Sequence, residues 1–192
     1  MLIVPADSPF NSATELVAWA KANPGKLTVS GAGLYVGHHI AGLQLDKAAN
    51  ISTQYIPAGG GVPAMKMVLG SQVMAGFNNL SDAFRQGDRI KILAVADNQR
   101  EETFLPNVPT FKEQGIDIDD SSVNFRGIMA RTGTPPEVID FLAERVHAMF
   151  QDAKVAGKMK AGGSPMRIMT RAQVQNMWAE RQVYLDGLLA DL

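Results

Sequence analysis

Thr28-Val29-Ser30-Gly31-Ala32-Gly33-Leu34-Tyr35-Val36-Gly37-His38-His39 and Gln54-Tyr55-Ile56-Pro57-Ala58-Gly59-Gly60-Gly61-Val62-Pro63-Ala64 decide the fold. Each places a glycine-rich turn between a short apolar run and a helix-like segment. Glycine lets backbone approach a ligand closely, and the following helix aims free N–H groups and the positive end of its dipole at that spot. Two such turns in sequence predict an anion-holding wall of main chain.

The elements around them extend the pattern. Ser12-Ala13-Thr14-Glu15 reads as a capping box, with Leu16, Val17, Trp19 and Ala20 forming an apolar face behind it. That helix stops at Asn23-Pro24-Gly25. Strands are expected over 26–30, 52–56, 72–77 and 90–96, with helices over 36–48, 62–69 and 81–86. Alternation of this kind implies a mainly parallel sheet with right-handed crossovers, whose ligands sit at one end of the strands. The strand at 72–77 delivers Asn78-Asn79 to the same edge as the glycine turns.

Farther on, a strand is expected over 123–130, a helix from Thr134-Pro135-Pro136 to about Phe150, and a short helix over 152–161. A short strand over 166–169 and a last helix capped by Thr170-Arg171-Ala172-Gln173 complete the chain. This helix-rich third has too little sheet to cover its own helices, so it reads as part of a second lobe. The expected domains are therefore 1–127, a ligand-binding lobe, and 128–192, an incomplete second lobe.

Composition narrows the function. The 192 residues carry a net charge of −1 with both signs interspersed, so no basic stripe offers a nucleic-acid footprint. Cysteine is absent, which removes disulfides and thiolate metal sites. Met1 runs into Leu2-Ile3-Val4-Pro5-Ala6-Asp7 without the basic start and apolar core of a signal peptide.

Other chemistries fit poorly. Gly31, Gly33 and Gly37 space as G-x-G-x-x-x-G, one residue longer than the dinucleotide fingerprint, and no acid ends the next strand. Gly59-Gly60-Gly61 lacks the Lys and Ser/Thr of a phosphate-binding P-loop. No cofactor is expected. The adjacent His38 and His39 face different sides of a helix, and His147 stands without a ligand set, so no metal site is expected either. No nucleophile elbow is present, and no enzyme is expected. The glycines also admit a plainer reading as ordinary turn residues, and His39 reads equally as a capped structural histidine or as a donor into the cleft. Ile116-Asp117-Ile118-Asp119-Asp120 is expected as a solvated loop. Met65, Met67, Met74, Met129, Trp19 and Trp178 are expected in the core.

Taken in order, several segments resemble one family. Asp7-Ser8-Pro9-Phe10, Ala20-Lys21-Ala22-Asn23-Pro24-Gly25-Lys26-Leu27, the first turn with His39 and Ala41-Gly42, and Ile56-Pro57 with Gly60-Gly61 and Pro63-Ala64 are similar to Bug-type receptors. So are Leu69-Gly70-Ser71-Gln72-Val73, Phe77-Asn78-Asn79-Leu80, Leu93-Ala94-Val95, Leu105-Pro106-Asn107-Val108-Pro109-Thr110 and Phe125-Arg126-Gly127 with Gly133-Thr134-Pro135. These receptors are the extracytoplasmic solute-binding proteins of tripartite tricarboxylate transporters.

The resemblance implies an α/β lobe of periplasmic-binding-protein type II, followed by the C-terminal helical return of an incomplete lobe. It implies a periplasmic location and membrane permease subunits as partners. The implied ligand is a small organic carboxylate: a di- or tricarboxylate, an acidic amino acid or an aromatic acid. Main-chain N–H groups would hold it. Ser30, Gly31, Gly33, Leu34, Tyr35, His39, Ala58, Gly59, Gly60, Gly61, Asn78 and Asn79 are the expected ligand-binding residues. Leu34-Tyr35-Val36 and Ala58-Gly59 stand where the family commonly has polar side chains. The family also carries a signal peptide and a half-lobe of roughly a hundred residues upstream of the point matched by Met1. An alternative expectation is a homologue that has lost solute binding and forms a homodimer through apolar faces of the incomplete lobe.

Overall fold

A computed structural model describes residues 1–190 and divides the chain into two units, Met1–Asn124 and a second beginning at Phe125. In the first unit a five-stranded sheet is built from β1 (Leu2–Pro5), β2 (Thr28–Gly31), β3 (Gln54–Pro57), β4 (Ala75–Phe77) and β5 (Ile90–Ala94). Their order is β3-β2-β4-β1-β5. β2 runs parallel to β3, with Val29 opposite Tyr55, and parallel to β4, with Val29 opposite Ala75. β1 lies antiparallel to both β4 and β5, with Leu2 opposite Phe77 and Val4 opposite Lys91. Four strands therefore share one direction and one opposes them, which realises the expected α/β class with a mainly parallel sheet.

The sequence reading assigned no element to β1. Its run Leu2-Ile3-Val4 is buried on both faces, and a run of three apolar residues carries no period that marks it as a strand. Side-chain alternation sorts it into two layers. Leu2 and Val4 join the cluster containing Leu16, Val17, Ala41 and Leu45. Ile3 joins Met65, Val68 and Ala83 on the other face. Helices α1 (Ala13–Ala22) and α2 (Gly37–Ala49) thus cover one side, and α3 (Gly61–Leu69) and α4 (Leu80–Phe84) the other. Each fully buried Leu or Ile contributes about 1.5–3 kcal/mol.

Local chemistry sets the ends. Ser12 Oγ accepts the N–H of Glu15 at 3.1 Å, while the Glu15 carboxylate reaches the N–H of Asn11, one residue earlier than in a standard capping box. Asp46 accepts both the N–H and the hydroxyl of Thr53, tying the end of α2 to the entry of β3. Ile116 and Ile118 are buried in the first cluster, so the segment expected as a solvated loop is anchored by its apolar residues. Its Asp119 accepts from Gln44 Nε2 at 2.7 Å and from Ser121 N–H.

The second unit contains α5 (Pro136–Gln151), α6 (Ala153–Ala161) and α7 (Arg171–Leu189). Pro136 opens α5, Asp152 caps α6, and Thr170 with Gln173 forms a complete capping box on α7. None of these helices contains a buried residue. Trp178 and Met129 are exposed rather than core residues. The expected strands over 123–130 and 166–169 do not form, because these segments find no strand to pair with among the described residues.

Candidate functional site at the glycine-turn edge

β3, β2 and β4 are neighbours running the same way, so α3, α2 and α4 all start at one edge of the sheet. Like α5, which opens on Pro136, these three helices start without a side-chain cap. α1, α6 and α7 have side-chain caps from Ser12, Asp152 and Thr170. α2, α3 and α4 begin at Val36, Gly60 and Asn79 with no side-chain cap. Among the described residues, the N–H groups of Gly33, Leu34, Gly37, Gly59, Gly60, Gly61 and Val62 have no protein acceptor. The 13-residue α2 and the nine-residue α3 add their dipoles to these donors. The five-residue α4 is too short to add much.

The turns are locked to one another. Ala58 N–H donates to Gly31 O at 2.9 Å, and the Tyr55 hydroxyl donates to Gly33 O at 3.0 Å. Gly31 permits this arrangement: a Cβ there would lie 2.0 Å from the Tyr55 hydroxyl oxygen and 2.9 Å from His38 Cβ. Gly60 has φ +155° and Gly59 φ +74°, so the second turn needs the freedom of glycine.

His38 joins the first turn to the third. Its Nδ1 accepts Ala32 N–H at 3.1 Å, so the neutral ring carries its proton on Nε2, which donates to Asn79 Oδ1 at 3.2 Å. Burial holds His38 below the ordinary imidazole range, and the nearby Met1 ammonium adds to that. His39 Nδ1 accepts Tyr35 N–H at 3.1 Å, and its ring packs against Tyr35 and Tyr55 with centroids 5.3 and 4.5 Å away. Burial lowers its pKa as well. Burial also pushes the Tyr55 phenol up to about 12, keeping it a neutral donor.

Asn78 and Asn79 divide their labour. Asn78 is buried, donates from Nδ2 to Gly61 O at 2.9 Å, and accepts Asn79 N–H on Oδ1 at 2.9 Å. It clamps the start of α3 to the end of β4. Asn79 Oδ1 receives both His38 Nε2 and Asn124 Nδ2. That fixes the amide orientation, and Asn79 Nδ2 has no protein acceptor among the described residues.

The remaining expected residues fall as follows. Ser30 is fully buried with its hydroxyl donating to Ala64 O at 3.0 Å, so its role here is to join β2 to α3. Leu34, Tyr35 and Val36 are exposed in the first turn. Ala58 gives its N–H to Gly31 O, so it offers the edge no main-chain donor. Sequence reasoning missed His38, Tyr55 and Asn124. The signal for His38 was its helical phase, which sets it apart from His39; that for Tyr55 was a large ring on β3 beside a strand ending in glycine.

Among the described residues no three His, Asp or Glu side chains gather as a metal site, and no helix is long and apolar enough to cross a membrane.

Residues 1–186 match the family described as the tripartite tricarboxylate transporter family receptor, TctC. A protein from the gbd 5′ region of Cupriavidus necator is 33% identical over 153 residues, covering 79% of this chain and 45% of that one. A TctC solute-binding protein from Polaromonas, without ligand, superposes with a TM-score of 0.80 at 25% identity, covering 100% of this chain and 65% of that one. A Rhodopseudomonas palustris protein with adipate gives a TM-score of 0.83 at 19% identity, over 98% of this chain and 63% of that one. The chain spans about half the length of the curated relatives it matches.

Proposed function

Because this chain belongs to the tripartite tricarboxylate transporter receptor family, we propose that its glycine-turn edge grips the carboxylate of a small organic acid. The observation that carries this reading is the pair of uncapped helix starts on neighbouring parallel strands, with their main-chain donors unpaired. Asn79 Nδ2 is one side-chain donor beside them. Carboxylates accept such donors well, and each charge-assisted bond contributes about 1.5–3 kcal/mol. The adipate in the R. palustris protein agrees with this chemistry. At 19% identity that likeness concerns fold, so the carboxylate reading stands on the donors.

In this reading residues 1–127 form a ligand-binding lobe and residues 128–192 the C-terminal part of another lobe. The confinement of the buried apolar clusters to residues 2–118 supports the division. The receptor works in the periplasm and hands its acid to membrane permease subunits, with no catalysed reaction. Titrating the ¹⁵N-labelled chain with succinate, citrate, aspartate and phenylacetate tests the core of the proposal. Saturable shifts of the Gly33 and Gly59–Val62 amides are expected. Their absence with every acid refutes carboxylate capture.

Exposed Phe141, Leu142, Trp178 and Val183 favour one further reading, self-association through the second unit. Sedimentation equilibrium showing only monomer at 100-fold varied concentration would remove it.

A further inference from the structure

Resting on the carboxylate reading, we infer that the acid selected by this edge has one carboxylate and an apolar body of aromatic size, read by Leu34, Tyr35, Val36 and Val62. Leu34, Tyr35 and Val62 are 54%, 62% and 59% exposed. They stand in or directly after the two turns that carry the unpaired N–H groups. Exposed apolar side chains in the same turns as unpaired main-chain donors fit a ligand with one polar end and one apolar end.

Tyr35 is held in that exposed position. Its φ is +56°, a left-handed backbone that residues with a Cβ seldom adopt. Two contacts maintain it: the N–H bond to His39 Nδ1 and the edge-on packing of its ring on His39. The Tyr35–His39–Tyr55 series therefore presents ring surface beside Gly33, whose carbonyl Tyr55 fixes.

Charge argues for a single carboxylate. Neither turn, 28–39 nor 54–64, contains Lys, Arg, Asp or Glu. Besides the imidazoles and phenols of the turns themselves, the edge has the buried Met1 amine, which donates to Asn78 O, and Asp82, whose Oδ2 lies 3.5 Å from the Cβ position on Gly61. Arg85 is already paired with Asp82 at 2.5 Å. A second carboxylate would find no free guanidinium or ammonium in either turn to pair with.

The test is a comparison of phenylacetate with succinate and citrate on the 192-residue chain, with dissociation constants read from the Gly33, Gly60 and Gly61 amide shifts. Phenylacetate is expected to bind about tenfold more tightly than either polyacid. In Tyr35→Asn, where asparagine tolerates the left-handed backbone, and in Leu34→Ser that preference falls to within about twofold. Should either variant lose its native spectrum, Val62→Thr at the exposed start of α3 supplies the same comparison. Succinate or citrate binding as tightly as phenylacetate overturns the inference while leaving carboxylate capture standing. Absence of saturable shifts with all three acids overturns both. Shifts at Leu34 and Tyr35 that grow with protein concentration alone would assign the patch to a second copy of the chain and overturn the inference.

Discussion

Gly31→Ala tests whether the turn edge is held by the packing described. The new methyl would fall 2.0 Å from the Tyr55 hydroxyl oxygen and 2.7 Å from Cζ, so the ring must leave. Its departure breaks the hydroxyl bond to Gly33 O, about 1 kcal/mol net. It also breaks the ring pair with His39, about 0.5–1.5 kcal/mol. The remaining 2.9 Å approach to His38 Cβ adds an overpacking cost of about 1 kcal/mol or more. The expected destabilisation is about 2–4 kcal/mol. Tyr55→Ala loses the same bond and ring pair and costs about 2–3 kcal/mol.

These two losses overlap, so the double variant should fall short of the sum by about 1–3 kcal/mol. Urea unfolding at pH 7 measures all four corners of the cycle. A Trp178→Phe background leaves Trp19, packed against the first core cluster, as the reporter for the first unit. Additivity within about 0.5 kcal/mol would refute the claim that Gly31 is required by Tyr55.

Three further outcomes are expected. Val36→Asp places an acceptor at the extended, uncapped N-cap of α2; thermal unfolding should show a gain of about 1 kcal/mol, while carboxylate affinity drops more than about tenfold because the new carboxylate sets a like charge beside the ligand's donors at the start of α2. An unchanged affinity would show that α2 does not hold the ligand. Asn78→Ala leaves the partly buried Gly61 O and Asn79 N–H without their partner, costing about 1–3 kcal/mol by urea titration and speeding exchange of the amides that open α3; a loss below about 0.5 kcal/mol contradicts the clamp. Between pH 8 and 5 the thermal midpoint should fall. The Met1 amine, lowered to about 5 by burial, and the lowered imidazoles of His38 and His39 all bind protons more readily when unfolded. Their stabilisation is complete above pH 8 for the amine and above about 6.5 for the imidazoles, and acid removes it. N-terminal acetylation should flatten the upper part of the curve and His38→Asn the lower; a midpoint that rises on acidification reverses the assigned sign.

Much of this architecture was legible because local signals agreed with the tertiary outcome. Thr170 with Gln173, Pro135-Pro136 and the glycine turns each dictate a chain direction by backbone chemistry alone. β1 was hidden because Leu2-Ile3-Val4 becomes a strand only when β4 and β5 flank it. The opposite happens over 123–130, where β-prone residues find no strand to pair with among the described residues. At the site, the main-chain wall could be read from glycine spacing, while the roles of individual side chains could not. Ser30 and Asn78 look like ligand groups in one dimension, yet their polar atoms are committed to Ala64 O, Gly61 O and Asn79 N–H. His38 differs from His39 only by one step of helical rotation, and that step decides which of them reaches Asn79.

The place of β1 in the sheet also sets a timetable. It is synthesised before every other strand of the sheet, yet its neighbours are Phe77 on one side and Ile90 to Ala94 on the other. At about 5–20 residues per second, translation leaves Leu2-Ile3-Val4 waiting roughly 5–18 s for the last of them. During that interval a sticky apolar ribbon is exposed on the nascent chain, while β2 and β3 can already pair side by side. Rapid quenched-flow labelling should therefore find protection in β2 and β3 before β1, and ribosome-bound chains ending before residue 94 should be the ones that recruit chaperones.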